Sequence, residues 1–237
     1  TSGVLGGEKL AIRVMDQTKG LLELSEIGFA PEEVKMLTKI VEQPQGMILV
    51  CGPTGSGKST TLYGMLQTID FEQRNVITVE DPIEHIMPHI SQIEVNERAN
   101  VTFAAALRSI LRQDPDVIMV GEMRDVTTAT IAMQASLTGH LVFSTIHTNN
   151  TVATITRLRD LGVPSYLIAS TIIGIIAQRL VRVICPFCKE EYQPSEDSLR
   201  GLALTPRQVR EHKFLRGKGC SKCGETGYKG RAGIYEM

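Results

Sequence analysis

The sequence predicts an α/β fold with a parallel-rich central sheet, followed by a small four-cysteine zinc-binding module. Between residues 31 and 184, short apolar runs typical of strands alternate with segments of helical spacing, the pattern of a parallel sheet with right-handed crossovers. A glycine-rich loop stands between one predicted strand and the next helix. After Ile184 the apolar pattern gives way to Cys, Gly, Pro and charged residues, which indicates a second, smaller module.

Length and charge restrict the function classes. The 237 residues are 42% hydrophobic, enough for one full domain and a small appendage. The formal net charge of −1 gives no bulk reason to expect nucleic acid or an anionic membrane as partner. Trp is absent and aromatic residues make up 5%, which argues against a stacking surface for single strands. We therefore expect no nucleic-acid partner.

The apolar segments are predicted in order along the chain. Met47–Cys51 is a continuous apolar run, typical of a parallel strand buried on both faces. Asp125 and Gly139 are suited to cap the start and the end of one helix. The other predicted strands are Asn75–Val79, Val117–Val120 and Leu141–Ile146. The predicted helices are Pro31–Val41, Ser59–Ile69, Thr102–Arg112, Asp125–Leu137, Thr151–Leu161 and Tyr166–Val181.

The most apolar stretch is Leu167–Ala177, inside Val163–Val181. Its uninterrupted apolar part is shorter than the roughly 20 residues that span a bilayer. We therefore expect a buried helix here and no transmembrane segment. Because residue 1 is not Met and no apolar leader follows it, we also expect a fragment of a longer protein with no targeting segment in view.

A phosphate-binding loop is predicted after the first buried strand. Residues 52–59 match G-x-x-x-x-G-K-[ST] in full: Gly52, Pro53, Thr54, Gly55, Ser56, Gly57, Lys58 and Ser59. The glycines let backbone N–H groups point at phosphate oxygens, and the following helix adds its positive end. Lys58 is placed for the β- and γ-phosphates and the Ser59 hydroxyl for Mg²⁺. The loop predicts binding of ATP with Mg²⁺; a ligand-free glycine-rich turn is the alternative.

Glu122 follows the apolar strand Val117–Val120 in the manner of a Walker B segment, but Gly121 stands where many such proteins carry a Mg²⁺-binding Asp. We therefore assign Glu122 to the metal shell, the attacking water, or both. A solvated glutamate at a strand end is the alternative.

Two further side chains follow predicted strands, at the edge where α/β proteins bind ligands. Glu80 precedes Asp81-Pro82 and is suited to orient and partly deprotonate the attacking water. His147 follows Leu141–Ile146 and is suited to hydrogen-bond the γ-phosphate. A turn held by Pro82 and a structural histidine are the alternatives.

Together these residues resemble the ATPases of type II secretion systems and type IV pilus assembly. The phosphate loop continues as Gly52–Tyr63, which places Thr60 among the phosphate-binding residues. The family's aspartate box matches residues 78–84, its Walker B region residues 111–125, and its histidine box residues 137–149. Gly121 in place of Asp is normal in this family.

The resemblance implies a RecA-like ATPase core that works as a hexamer at the cytoplasmic face of the inner membrane, with membrane-platform and assembly proteins of a pilus or secretion machine. It implies that Glu80 activates water and that Glu122 supports Mg²⁺. Arg13 is the visible candidate for an arginine that reaches phosphates between domains or subunits. The implied domains are a flanking-domain end at 1–19, the core at 20–184, the cysteine module at 185–229 and a return to the core at 230–237, short of the family's C-terminal helices.

Four of the five cysteines form two C-x-x-C pairs: Cys185 with Cys188, and Cys220 with Cys223. Such pairs, without a secretory signal, indicate a metal site before disulfides. Four thiolates favour a tetrahedral Zn²⁺ and leave no open position, so we predict a structural role. Reduced thiols without metal and a nucleic-acid-binding ribbon are the alternatives. Within the family the module favours the assembly and secretion branch.

The leading hypothesis is therefore an Mg²⁺-dependent ATPase that drives extension of a pilus or pseudopilus. The second is a RecA-like nucleic-acid motor whose zinc ribbon grips the strand. The third is a regulatory nucleotide-binding module without turnover, against which Glu80 and Glu122 argue.

Overall fold

The computed structural model describes residues 2–10, 21–195, 197, 199 and 204–237. Two compact units are present: a sheet unit, Thr1–Gln178 with Tyr235–Met237, and a cysteine unit, Arg179–Ile234. The chain crosses from one unit to the other within a strand and returns within another. Arg13, predicted to contact phosphate, lies outside the described residues.

In the described residues the central sheet has seven strands. Their bounds are β3 Gly46–Cys51, β4 Val76–Glu80, β5 Ser91–Glu94, β6 Val117–Val120, β7 Leu141–Ile146, β8 Ile172–Ile184 and β11 Tyr228–Glu236. The strand order is β11-β8-β3-β7-β6-β4-β5, and neighbouring strands from β8 to β5 pair in parallel. A separate antiparallel hairpin joins β1 Ser2–Val4 to β2 Gly7–Lys9. The predicted parallel-rich sheet is confirmed.

Helices connect the strands, and short polar side chains begin several of them. The bounds are α1 Pro31–Val41, α2 Lys58–Leu66, α3 Phe103–Ile110, α4 Val126–Leu137, α5 Thr151–Asp160 and α6 Ser165–Thr171. Thr102, Asp125 and Asn150 each accept a hydrogen bond from a first-turn amide of the helix that follows. Gly139 follows α4 with a φ of +112°, as predicted for a helix end. In the described part of the chain, no helix has the length and apolar character needed to cross a membrane.

The core of the sheet unit lies on both faces of the sheet. Met47 and Leu49 on β3 belong to one apolar cluster, with residues of α3, α4 and α6. Ile48 and Val50 belong to the other, with residues of α1 and α2. Successive strand side chains point to opposite faces, so a strand covered on both faces is apolar throughout. The prediction that Met47–Cys51 is buried on both faces is confirmed.

The prediction of one helix over Tyr166–Val181 is wrong. Helix α6 ends at Thr171, and β8 begins at Ile172 and pairs in parallel with β3. Residues 171–176 are β-branched at every position except Gly174, a composition that favours strands over helices. Periodicity alone does not separate a short apolar helix from a buried strand.

The cysteine unit contains short elements. An antiparallel pair joins β9 Lys189–Glu191 to β10 Leu215–Gly217, and α7 spans Pro206–Glu211 behind the capping residue Thr205. Among the described residues of this unit, Cys185 and Gly227 are the two that are buried. Hydrophobic burial within the unit is therefore small, in contrast with the sheet unit.

Candidate functional site

The phosphate loop joins the end of β3 to the start of α2. Gly57 precedes α2 in the left-handed region at a φ of +87°, where glycine carries no steric cost. Gly52 has a φ of +151°, and a Cβ atom there would lie 2.3 Å from the carbonyl oxygen of Gln178 on β8. A side chain at position 52 is therefore excluded by a neighbouring backbone.

Lys58 is 9% exposed at the first turn of α2. Its Nζ atom donates to the carbonyl oxygens of Gly52 and Pro53, each at 3.1 Å. Burial lowers the pKa of Lys58, and the negative charge of Glu122 opposes that shift. The amine therefore lies against the loop, with a carboxylate of the same site favouring its charged form.

A cavity of about 490 Å³ lies beside the loop. It is bordered by the loop, by the carboxyl ends of β4, β6 and β7, and by the residues that follow them. The lining residues are Thr54, Gly55, Lys58, Ser59, Leu62, Glu80, Asp81, Pro82, Glu84, Phe103, Met119, Gly121, Glu122, Arg124, Thr145 and His147. The cavity is at the sheet edge where parallel α/β folds bind ligands.

The Glu80 carboxylate ends β4, is 4% exposed and accepts three hydrogen bonds. The Tyr63 hydroxyl donates to Oε2. The Thr78 hydroxyl donates to Oε1 at 2.6 Å, and the Gln92 amide donates to the same oxygen at 3.1 Å. The buried carboxylate is therefore held in one orientation by neutral donors from α2, β4 and β5.

Glu122 follows β6 and has charged or ionisable partners. Arg124 forms an ion pair with Oε1, and His147 Nε2 lies 3.4 Å from Oε2. The second guanidinium nitrogen of Arg124 lies 3.7 Å from Asp81 Oδ2. Glu122 raises the pKa of Arg124, with Asp81 adding to that shift. The two glutamates thus have different surroundings, neutral donors for Glu80 and charges for Glu122.

Gly121 is close to the neighbouring strand. A Cβ atom at this position would lie 3.3 Å from the carbonyl oxygen of Val79 and 3.4 Å from the Cα atom of Glu80. The backbone of β6 therefore approaches β4 at the position where an aspartate is expected in a Walker B segment. This closeness is a physical reason for glycine here, and it leaves Glu122 as the carboxylate at the end of β6.

The structure brings most of the predicted site residues together. Of these, seven line the cavity: Thr54, Gly55, Lys58, Ser59, Glu80, Glu122 and His147. Five lie in the loop or the first turn of α2 without lining it: Gly52, Pro53, Ser56, Gly57 and Thr60. The Ser56 hydroxyl is buried and has no hydrogen-bond partner among the described residues. The catalytic and ligand-binding roles of all these residues remain proposals.

Sequence reasoning missed the side chains that hold the two glutamates. The contact of Thr78 with Glu80 is predictable, because residues two apart in a strand share a face. The sequence indicates Tyr63 only weakly, by its position one turn beyond Ser59 on the same helix. The sequence gives no sign of the contacts of Gln92 and Arg124, since these depend on the pairing of β4 with β5 and on the turn after β6.

The four cysteines of the C-x-x-C pairs form one cluster in the cysteine unit. Their sulfur atoms all lie within 4.8 Å of one another. Cys185 and Cys220 are 4.0 Å apart, Cys188 and Cys223 3.9 Å, and Cys220 and Cys223 3.7 Å, sulfur to sulfur. A tetrahedral Zn²⁺ with Zn–S bonds of about 2.3 Å requires sulfur separations of about 3.8 Å. The donor set and its spacing therefore fit Zn²⁺.

Backbone groups support the cluster. The amides of Cys220 and Gly227 donate to the Cys223 sulfur at 3.2 and 3.3 Å, which favours a thiolate. Gly217 and Gly227 cross in backbone contact, and a Cβ atom on Gly217 would lie 1.9 Å from the Gly227 carbonyl oxygen. Glycine is therefore required at position 217 for the segment that carries Gly227 to approach.

These features define a P-loop nucleotide-binding domain: a glycine-rich loop with its lysine joins a strand to a helix, beside a cavity lined by two carboxylates. The match to known proteins is more particular. The family model described as "Type II/IV secretion system protein" matches residues 2–237, and the chain belongs to this family.

Relatives extend the match along the chain. Type II secretion system protein E of Pseudomonas aeruginosa is 49% identical over 231 residues, 98% of this chain and 46% of the relative. The type IV pilus assembly ATPase PilB of Thermus thermophilus is 46% identical over 231 residues, 98% of this chain and 26% of the relative. The chain therefore spans half or less of the length of these relatives.

Solved structures share the fold. The pilus retraction motor PilT with bound ADP matches with a TM-score of 0.64 and 41% identity, over 70% of this chain and 50% of that one. The Legionella pneumophila ATPase DotB matches with a TM-score of 0.58 and 31% identity, over 68% of this chain and 47% of that one. The α/β fold with its parallel-rich sheet thus has a pilus retraction motor and an ATPase among its structural neighbours.

Proposed function

We propose that this chain binds ATP with Mg²⁺ in the cavity and hydrolyses ATP to power assembly of a type IV pilus or a type II secretion pseudopilus. The observation that carries the proposal is the single cavity that joins the phosphate loop to Glu80 and Glu122. The names of the relatives, secretion protein E and pilus assembly ATPase, support the process that hydrolysis would drive.

Phosphate binding falls to the loop and the first turn of α2. Residues 52 and 54–57 supply backbone N–H groups, which Pro53 lacks. Helix α2 supplies its positive end, and Thr60 lies in its first turn. Lys58 Nζ, which donates to two loop carbonyls, is within the same site and gains a stronger partner in a phosphate oxygen. Each group favours negative charge at the cavity, as a triphosphate requires.

The metal would be held by Ser59 and Glu122. Both offer oxygen ligands at the same cavity, the donor type that Mg²⁺ prefers. Mg²⁺ held by these residues would offset the negative charge that develops in phosphoryl transfer. Arg124 forms an ion pair with Glu122 and so orients its carboxylate at the edge of the cavity.

Water activation is assigned to Glu80 and phosphate contact to His147. Glu80 is anchored at the end of β4 and lines the cavity. Its three hydrogen-bond donors among the described residues are all neutral. His147 lies beside Glu122 and is suited to hydrogen-bond the γ-phosphate. Positioning of this kind is the main protein contribution to phosphoryl transfer.

The working form is proposed as a hexamer of RecA-like cores at the cytoplasmic face of the inner membrane, with platform and assembly proteins as partners. An arginine from a neighbouring domain or subunit, with Arg13 as the candidate, would complete the site. The family membership and the names of the relatives support this part of the proposal.

The cysteine unit is proposed to hold one structural Zn²⁺ through Cys185, Cys188, Cys220 and Cys223. Four thiolates fill a tetrahedral shell and leave no position for a substrate. Cys51 is buried in the core of the sheet unit and takes no part.

The direct test is Lys58→Ala. We expect ATP hydrolysis to fall by roughly 10²-fold or more, as with the loss of other preorganised charges that stabilise a transition state. Lys35→Ala on the exposed side of α1 is the matched control and should retain the wild-type rate. Wild-type hydrolysis in Lys58→Ala would overturn the site. Hydrolysis stimulated by DNA or RNA would instead favour a nucleic-acid motor.

A further inference from the structure

The three donors around Glu80 leave one direction open on its carboxylate. An ionised carboxylate offers about four lone-pair positions, two on each oxygen. Thr78 and Gln92 occupy both positions of Oε1, whereas Tyr63 occupies one position of Oε2. Among the residues that the structure describes, Tyr63 is the one donor to Oε2, so one acceptor position on this oxygen is left for a water molecule in the cavity that Glu80 lines.

Two of these donors also hold the segment that follows β4. The Tyr63 hydroxyl accepts a hydrogen bond from the His85 amide at 3.4 Å. The Gln92 side chain donates to the His85 carbonyl at 2.9 Å and accepts from the Met87 amide at 2.8 Å. Tyr63 and Gln92 thus contact the carboxylate from two sides and the backbone of residues 85–87 at the same time.

We propose that Tyr63 and Gln92 are positioning residues that aim the open lone pair of Glu80 Oε2 at the attacking water. This inference rests on the proposed function, in which Glu80 orients that water. Neither residue touches the reacting atoms; each acts through the carboxylate. The segment 85–87 is part of the same arrangement, because it fixes the Tyr63 hydroxyl and the Gln92 amide in turn.

The hydroxyl of Tyr63 remains protonated and is a donor to Glu80. Burial raises the pKa of Tyr63 above its ordinary value, and the hydrogen bond to Glu80 raises it further. Tyr63 is fully buried on α2, five residues after Lys58, so its ring is fixed by packing. The helix that begins at the phosphate loop therefore also sets the direction of the carboxylate.

Tyr63→Phe tests the inference, because it removes one oxygen and keeps the buried ring. Loss of the hydroxyl frees a second acceptor position on Glu80 Oε2, so the attacking water can bind in two orientations instead of one. We expect kcat for ATP to fall roughly tenfold with KM nearly unchanged, as expected for lost orientation. Tyr166→Phe, at an exposed tyrosine on α6, is the matched control and should keep the wild-type kcat.

A double-mutant cycle with Glu80→Gln separates positioning from a structural role. If Tyr63 acts through Glu80, the Phe substitution should have no further effect on single-turnover hydrolysis in the Glu80→Gln background. An equal loss in both backgrounds would overturn the inference, as would an unchanged kcat in Tyr63→Phe. Wild-type hydrolysis in Glu80→Gln alone would instead remove the proposed role of Glu80, so the two failures are distinguishable.

Gln92→Leu is the second variant, and it has a readout besides activity. It should lower kcat by a similar factor and speed hydrogen exchange at the Met87 amide, which loses its acceptor. Tyr63→Phe should speed exchange at the His85 amide. Faster exchange without any change in kcat in both variants would show that these residues only order the segment, and this result would overturn the inference.

Discussion

The sheet unit and the cysteine unit are held together by different forces. The sheet unit has buried apolar residues on both faces of its sheet. In the cysteine unit, Cys185 and Gly227 are the buried residues among those described, and four sulfur atoms form one cluster. With so little burial among its described residues, the cysteine unit needs another source of folding free energy. A structural zinc site can contribute on the order of 10 kcal/mol. The first unit is thus specified by its apolar pattern, and the proposed zinc ligands would specify the second.

The largest expected effect is the loss of zinc from the cysteine unit. Chelation or Cys188→Ser should loosen residues 185–229 and raise their protease sensitivity, because few apolar contacts remain to order them. The thermal unfolding of the sheet unit should change little. Elemental analysis should find one Zn²⁺ per chain.

Cys51→Ala is the control for this experiment. Because Cys51 is buried in the core of the sheet unit, its replacement should leave the zinc content at one per chain. A freshly purified, metal-free protein with an ordered cysteine unit would contradict the comparison.

The next largest effect is on the free energy of unfolding when one phenylalanine from each unit is replaced by alanine. Phe143 on β7 is 0% exposed, whereas Phe187 in the cysteine unit is 59% exposed beneath the ammonium of Lys222. Phe143→Ala should lower the free energy of unfolding of the sheet unit by about 3–5 kcal/mol. Phe187→Ala should cost about 1 kcal/mol or less, chiefly the cation–π contact. Denaturant unfolding, followed separately from zinc release, measures the loss of free energy of unfolding in each variant. Similar losses in the two variants would contradict the proposed difference between the units.

The smallest effect concerns two helix caps of similar chemistry. Asp125 accepts from the Thr128 amide at 2.8 Å in the sheet unit, and Thr205 accepts from the Gln208 amide at 3.3 Å in the cysteine unit. Asp125→Ala should reduce the stability of the sheet unit by about 1 kcal/mol. Thr205→Ala should leave the melting of the sheet unit unchanged and speed hydrogen exchange only near α7. A shared shift in melting temperature would show that the two units unfold together.

The apolar pattern predicts most of the sheet unit. Strands β3, β4, β6 and β7 lie within a residue of their predicted ranges, because strands buried on both faces are apolar throughout. The predicted helix over residues 166–181 is wrong for a physical reason. A buried helix and a buried strand have the same apolar composition, and only the pairing with β3 decides between them. Strand β5 was missed, because Ser91–Glu94 at the sheet edge has no apolar run.

In the candidate site too, some residues are predictable from local sequence patterns and others depend on tertiary contacts. The phosphate loop and the strand-end carboxylates are local patterns, and their approach to one cavity follows from the parallel sheet. Two of the three hydrogen bonds of Glu80 are not local. Gln92 reaches the carboxylate only through the strand register that places Thr78 opposite Gln92. Sequence patterns thus identify the residues that act on a ligand better than those that hold them.

The position of β3 in the sheet has a consequence for the order of folding. This strand carries the phosphate loop and pairs with β7 and β8, whose residues follow it by most of the length of the sheet unit. During synthesis, β3 is therefore made well before its partner strands β7 and β8. Contacts between residues so far apart in sequence slow folding. Gln178, whose carbonyl lies against Gly52, is among the last of these residues to be made. A nascent chain should acquire nucleotide affinity only after β8 has left the ribosome, and until then β3 lacks a partner strand.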